Sequence, residues 1–207
     1  MKAILVNGSP HQHGCTDMAL QETAKVLEQE GIHTEIFWIG AKPIAGCIGC
    51  GACRKGLGRC FAVDTVNQFT ELAAEADGFI FGSPVHYAAI SGAMTSFMDR
   101  AFYSGSQNLA GKPAAAVVSC RRGGASAAFD QMNKYFTISS MPVVSSQYWN
   151  QVHGSTPEQV LQDEEGIQTL RTLARNMAWL LKCIEAGKAA GIERPAQEKV
   201  IRTNFIR

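Results

Sequence analysis

The sequence predicts an α/β fold: a doubly wound, five-stranded parallel sheet in the order 2-1-3-4-5, with helices on both faces. Three observations carry this. Short apolar runs alternate five times with stretches of helical spacing, the pattern that joins parallel strands through crossover helices. The runs are apolar throughout, not at every second residue, as in strands covered on both faces. Two of them end in Gly-Ser-Pro, placed where open sheets of this kind bind ligands, beyond the carboxyl ends of the strands.

The elements follow in order. Ala3-Ile4-Leu5-Val6 is the first strand, ended by Asn7-Gly8. Met18, Leu20, Ala24 and Leu27 recur at helical spacing over residues 16–29, and Gly31 stops that helix. Residues 33–39 form the second strand (Ile36 to Ile39), and a cysteine-rich loop follows. Val66, Phe69, Leu72 and Ala73 share one face of a helix over 65–76. The third strand, Gly78-Phe79-Ile80-Phe81, is ended by Gly82-Ser83-Pro84. Met94, Phe97, Met98 and Phe102 mark a helix over 91–103 and read as core or dimer surface. The fourth strand covers 113–120, a helix 125–139, and the fifth strand 141–146. Residues 155–166 are a polar loop, and Leu170, Leu173, Met177, Leu180, Leu181 and Ile184 make a long amphipathic helix over 168–186. One domain is expected over residues 1–187, with a cysteine-rich insertion at 46–60. Residues 188–207 form a tail that could wrap a partner subunit.

Composition narrows the function classes. The chain has 207 residues, 46% of them hydrophobic and 18% charged, which is globular and not disordered. A formal charge of +1 provides no field for nucleic acid or an anionic membrane surface. No apolar run approaches the ~20 residues of a bilayer span. The stretch after Met1-Lys2 is too short for a signal-peptide core, so a cytoplasmic protein is expected. Seven cysteines, an odd number, argue against a disulfide framework, and four of them crowd between positions 47 and 60.

Three loops at one sheet edge carry the binding chemistry. Gly8-Ser9-Pro10-His11-Gln12-His13-Gly14-Cys15-Thr16 runs into a helix N-terminus, where backbone N–H groups and the helix dipole favour an anion. It lacks the Gly-Lys-Ser/Thr of a nucleotide triphosphate loop and the Gly-x-Gly-x-x-Gly of a dinucleotide fold. Across the switch point, Pro84-Val85-His86-Tyr87 can cover a flat ring. Ser119, Arg121 and Gly123-Gly124 offer donors and close backbone approach. Together they describe a site for a ligand the size of FMN.

Cys47-x2-Cys50-x2-Cys53-x6-Cys60 places four thiols in one glycine-rich loop, the requirement of an iron–sulfur cube. Structural zinc, the competitor, prefers two Cys-x2-Cys pairs with a longer spacer. Cys183 reads as a packed apolar residue, while Cys15 and Cys120 are small residues in ligand loops. His13, His33 and His153 read as surface or structural, and Asp99-Arg100 as a structural ion pair or cap.

These marks, from Lys2 to about Gly154, resemble the NADPH-dependent FMN reductases of flavodoxin-like fold, and within them the iron–sulfur flavoproteins. The resemblance implies that the first loop binds the FMN phosphate through Ser9, His11, Gly14, Cys15 and Thr16. Pro84, Val85, His86 and Tyr87 would line the isoalloxazine, and Ser119, Arg121, Gly123 and Gly124 would reach its edge. It further implies a [4Fe–4S] cluster on Cys47, Cys50, Cys53 and Cys60, NAD(P)H or ferredoxin as electron donor, a small-molecule or redox-protein acceptor, and a homodimer or homotetramer. The chain departs from the family at His11, where Arg or Lys is usual, and in having His86 where the tyrosine usually stands, with Tyr87 one place later. Two other functions stay open: a flavodoxin-like electron carrier, which the +1 charge disfavours because such carriers dock by strong negative charge, and a flavin-binding module with zinc.

Overall fold

Along β1 (Lys2–Asn7) successive side chains point to opposite faces of the sheet, and both faces are covered. Ile4 and Val6 join Phe79, Phe81, Ala116 and Val118 in one core cluster. Ala3 and Leu5 join Ile80, Ala115 and Val117 in the other. A computed structural model describes residues 1–203 and 205, so Asn204, Ile206 and Arg207 of the expected tail lie outside the described residues.

The remaining elements are α1 (Cys15–Gln29), β2 (His33–Trp38), α2 (Thr65–Leu72), β3 (Gly78–His86), β4 (Ala89–Ile90), α3 (Gly92–Ser104), α4 (Ser106–Leu109), β5 (Ala114–Cys120), α5 (Ala125–Ile138), β6 (Gln151–His153), α6 (Pro157–Gln162) and α7 (Glu164–Ala189). The parallel strands lie in the order β2-β1-β3-β5-β6. This is the expected doubly wound order, and the sixth strand, β4, is a two-residue antiparallel addition to β3. Helices α2, α3 and α5 cover the first face and α1, α6 and α7 the second.

The first face is aromatic. Phe69 of α2 lies at the centre, its ring centroid 5.2 Å from Phe97, 5.6 Å from Phe37, 5.9 Å from Phe81 and 6.0 Å from Phe79. Such tilted and edge-on pairs add to the area buried. Met94, Phe97, Met98 and Phe102 all belong to this core, which settles them as packing.

Four expectations change. The fifth strand is not at 141–146. There only Val143 bridges to Ala114, since Pro142 has no N–H to extend a ladder, and the chain re-pairs with β5 at Gln151–His153. The third strand does not stop at Phe81. Gly82, Ser83 and Pro84 pair with Val117, Val118 and Ser119, so the second Gly-Ser-Pro is strand, not loop. The expected loop at 155–166 contains α6, begun by Thr156 as N-cap with Pro157 in the first turn. Helix α7 starts at Glu164, because Asp163 accepts a hydrogen bond from the Gly166 N–H, and it continues to Ala189, past the expected domain limit. Beyond it, Arg194 and Gln197 donate to Ala110 O and Ser140 Oγ of the same chain. No helix among the described residues is long and apolar enough to cross a membrane.

Candidate functional site

The loop between β1 and α1 is organised by Asn7, a polar residue ending an apolar strand and fully buried. Its amide donates to Gln12 O (3.0 Å) and its Oδ1 accepts from the Ser9 N–H (3.0 Å). Ser9 Oγ accepts from the His11 N–H, and Trp38 Nε1 donates to Ser9 O. Gly8 is required by close approach: a Cβ there would lie 2.5 Å from Met94 Sδ and 2.8 Å from Gly82 O. Gly14 is the N-cap of α1 and no side chain caps the helix, so its first-turn N–H groups are left for another acceptor. His11 is exposed over this loop. Thr16 and Ser119 are both buried and hydrogen-bonded to each other at 2.8 Å, tying α1 to the end of β5.

Opposite, β3 and β4 form a hairpin whose two turn residues, Tyr87 (φ 50°) and Ala88 (φ 61°), are both left-handed without being glycine. That geometry suits the twist of a two-residue hairpin and costs conformational strain for residues with a Cβ. It carries Tyr87 to the tip, fully exposed, with His86 exposed beside it. Ser91 anchors the hairpin base: its N–H donates to Ser83 Oγ and its hydroxyl to Gly8 O, linking the first two loops. Gly124 closes the third side. At φ 91°, a Cβ there would lie 2.7 Å from Ala88 Cα, so the turn after β5 packs against the hairpin tip. Arg121 and Gly123 are exposed on that turn. Gly124→Ala is expected to lower stability by about 1–3 kcal/mol, read by urea unfolding.

Cys47, Cys50, Cys53 and Cys60 line a single, mainly apolar cavity of about 70 Å³ together with Arg100 and Tyr103. Cys47 and Cys50 are exposed, Cys53 and Cys60 half-buried, and Gly49, Gly51 and Gly58 turn the loop with positive φ. Among the described residues, no three His, Cys, Asp or Glu side chains converge on a point where one metal ion could sit. Arg100, from α3, is buried and donates from Nε to Cys60 Sγ at 3.3 Å. Burial opposes its charge, but the hydrogen bonds to Asp64 and Cys60 outweigh that and hold the guanidinium above its ordinary pKa. Its ion pair is with Asp64 (2.6 Å), not Asp99, whose carboxylate instead accepts from Tyr135. Adjacent helical residues point about a quarter-turn apart and cannot face each other.

The other cysteines differ from these. Burial pushes the Cys15 and Cys120 thiols up, while Cys183 is exposed on α7 and not packed as expected. Iodoacetamide at neutral pH is therefore expected to modify Cys183, and Cys47 and Cys50 in metal-free protein, and to spare Cys15 and Cys120, as read by peptide mass spectrometry. His13, His33 and His153 lie 3.3, 3.8 and 3.4 Å from Asp17, Glu28 and Asp163, as local surface contacts. Sequence reasoning gave no binding or positioning role to Asn7, Trp38, Ser91, Asp64 and Asn67. Two signals were available: Asn7 terminates an all-apolar strand, and Arg100 falls on the apolar stripe of its helix, beside Phe97 and Ala101.

The chain is similar to known proteins in fold and in sequence. Among solved structures, RosB with bound 8-demethyl-8-formylriboflavin-5′-phosphate superposes with a TM-score of 0.70 at 16% identity, over 100% of this chain and 92% of that one. A flavodoxin from the domain Archaea gives 0.60 at 17% identity, over 88% and 99%. Both speak to the fold, which is flavodoxin-like. An iron-sulfur flavoprotein of Methanocaldococcus jannaschii is 34% identical over 194 residues, 89% of this chain and all of the relative. Residues 1–155 match the NADPH-dependent FMN reductases, and the chain belongs to that family of FMN-linked oxidoreductases.

Proposed function

We propose that the protein is an FMN oxidoreductase that takes electrons from NAD(P)H or a reduced ferredoxin and delivers them, by way of a [4Fe–4S] cluster, to a small molecule or a redox protein. FMN supplies the hydride and electron chemistry and the cluster one-electron transfer, so no side chain needs to act as nucleophile. The residues of the chain bind and orient. The uncapped first turn of α1, with Ser9, His11, Gly14, Cys15 and Thr16, would receive the phosphate. The Thr16–Ser119 bond would form the floor of the crevice. Pro84, Val85, His86 and the exposed Tyr87 would wall the ring on one side, and Arg121, Gly123 and Gly124 on the other.

The observation that carries the cluster is that all four thiols of the Cys-x2-Cys-x2-Cys-x6-Cys loop line one mainly apolar cavity. Four thiolates around one zinc stand at ~2.3 Å from it and crowd each other. A cube of iron and sulfide asks for ligands spread farther apart around an apolar space, and the glycine turns leave the loop free to wrap it. A homodimer or homotetramer in a reducing cytoplasm completes the proposal.

Anaerobic purification, followed by iron, sulfide and flavin analysis and by absorption and EPR spectra, tests both groups at once. Yellow-brown protein with stoichiometric FMN and a cluster signal is expected, together with steady-state NAD(P)H oxidation in the presence of a dye acceptor. Colourless protein that takes up no FMN on titration overturns the proposal, and zinc without iron or sulfide overturns the cluster. Flavin and cluster without NAD(P)H turnover would favour the flavodoxin-like electron carrier or ferredoxin-linked transfer.

A further inference from the structure

We propose that Arg100 is a positioning residue for Cys60: it fixes the sulfur through its Nε–H and, together with Asp64, sets the reduction potential of the cluster bound there. The inference rests on the iron–sulfur proposal above and goes beyond it in assigning a residue that is not itself a ligand.

Every N–H of the guanidinium has an acceptor. Nε donates to Cys60 Sγ (3.3 Å), Nη1 to Asp64 Oδ2 (2.6 Å) and Ala45 O (3.3 Å), and Nη2 to Asp64 Oδ1 (3.0 Å) and Ala62 O (3.0 Å). Ala45 precedes Cys47, and Ala62 follows Cys60, so one buried side chain joins both stems of the cysteine loop. Asn67 of α2, also buried, donates to Cys60 O (3.0 Å) and Ala62 O (3.2 Å). Cys60 is thus held at sulfur and backbone, whereas Cys47 and Cys50 are exposed. The loop therefore holds one thiol preorganised at its sulfur.

The same contact has an electrostatic consequence. A reduced cluster carries one more negative charge than the oxidised one, and an N–H···S bond favours it, raising the potential. The Arg100 side chain is only 2% exposed, so solvent and salt screen little of this effect. Asp64 works in the opposite direction, because its carboxylate offsets the guanidinium charge while leaving the Nε–H on the sulfur. The two residues therefore make opposite predictions.

The experiment is a potentiometric titration of reconstituted full-length protein, followed by cluster EPR and with FMN absorbance as the internal control. Arg100→Met removes the donor and the positive charge, and the cluster potential is expected to move negative. Asp64→Asn removes a negative charge and keeps an oxygen to cap α2 at the Val66 N–H, and the potential is expected to move positive. The flavin potentials are expected to stay in place. A purely structural role for Arg100 would lower iron content and leave the potential of the loaded fraction unmoved. If Arg100→Met holds no cluster, Asp64→Asn alone decides by the sign of its shift. Wild-type protein with a cluster and an unshifted potential in the variants overturns the Arg100 assignment only. Wild-type protein that binds no iron and sulfide on reconstitution overturns the iron–sulfur proposal, and this assignment with it.

Discussion

Replacing any one of Cys47, Cys50, Cys53 or Cys60 by alanine is expected to reduce iron and sulfide to background while FMN still binds. A cube held by three thiolates has an open corner that water or oxygen can attack, so loss of one ligand undoes the whole site. FMN should survive because the flavin loops are held by other contacts. Ser91 Oγ ties the hairpin to Gly8, Thr16 ties α1 to Ser119, and Gly124 packs on Ala88. None of these contacts passes through residues 46–60. Sites without shared partners are additive to within about 0.5 kcal/mol, so the FMN dissociation constant should change by roughly twofold at most. Iron and sulfide assays with FMN titration on the same preparation make the measurement. Variants that lose both groups together would mean that the cysteine loop builds the flavin site.

Phe69→Ala is expected to be the most damaging change to the fold. The ring is fully buried and touches Phe37, Phe79, Phe81 and Phe97, so its removal takes contacts from strands β2 and β3 and helix α3 at once. A Phe→Ala substitution in such a core costs about 3–5 kcal/mol, because the walls of the cavity relax only partly. In a domain of this size that lowers Tm by roughly 10 °C. The melt should be run at fixed FMN concentration, since a ligand that binds only the folded state raises Tm by mass action. The effect should also reach the cysteine loop. Helix α2 carries Phe69 on its core face, and Asp64 at its N-cap and Asn67 in its first turn hold Arg100 and Cys60. Iron retention should therefore fall in Phe69→Ala and recover in Phe69→Leu, which keeps most of the volume. A loss of iron without loss of stability would separate the loop from this core.

The parts of the molecule readable from the chain were those with a local cause. Ala3 to Val6 and Ala114 to Val118 are apolar on both faces, which only a covered strand tolerates, so the parallel strands and their order followed. In the sequence Gly8 and Gly124 read as positions where the backbone comes close to a ligand; in the structure their close neighbours are protein atoms, Met94 and Gly82 in the first case and Ala88 in the second. The fifth strand was misplaced because Met141 to Val144 is as apolar as any strand, and Pro142 limits it to one bridge. The true strand, Gln151-Val152-His153, has one apolar residue and pairs only because β5 leaves an edge open there. Likewise Cys183 looks like a core residue on its helix and is exposed in the structure.

Periodicity, glycine placement and cysteine spacing are local properties of the chain, so the doubly wound architecture, the first and third loops at one sheet edge and the four-thiol loop were legible in it, while the second Gly-Ser-Pro is strand. Which partners those residues have is a property of the folded chain. Thr16 meets Ser119 across 103 positions of sequence, Ser91 meets Gly8 across 83, and Arg100 meets Cys60 across 40. No spacing rule reaches that far: these contacts exist because the crossover helices fold back over the sheet and bring distant segments to one edge. Arg100 is the clearest case. On its own helix it is an ionic residue on an apolar stripe, and in the folded chain it is the buried cation that holds the sulfur of Cys60.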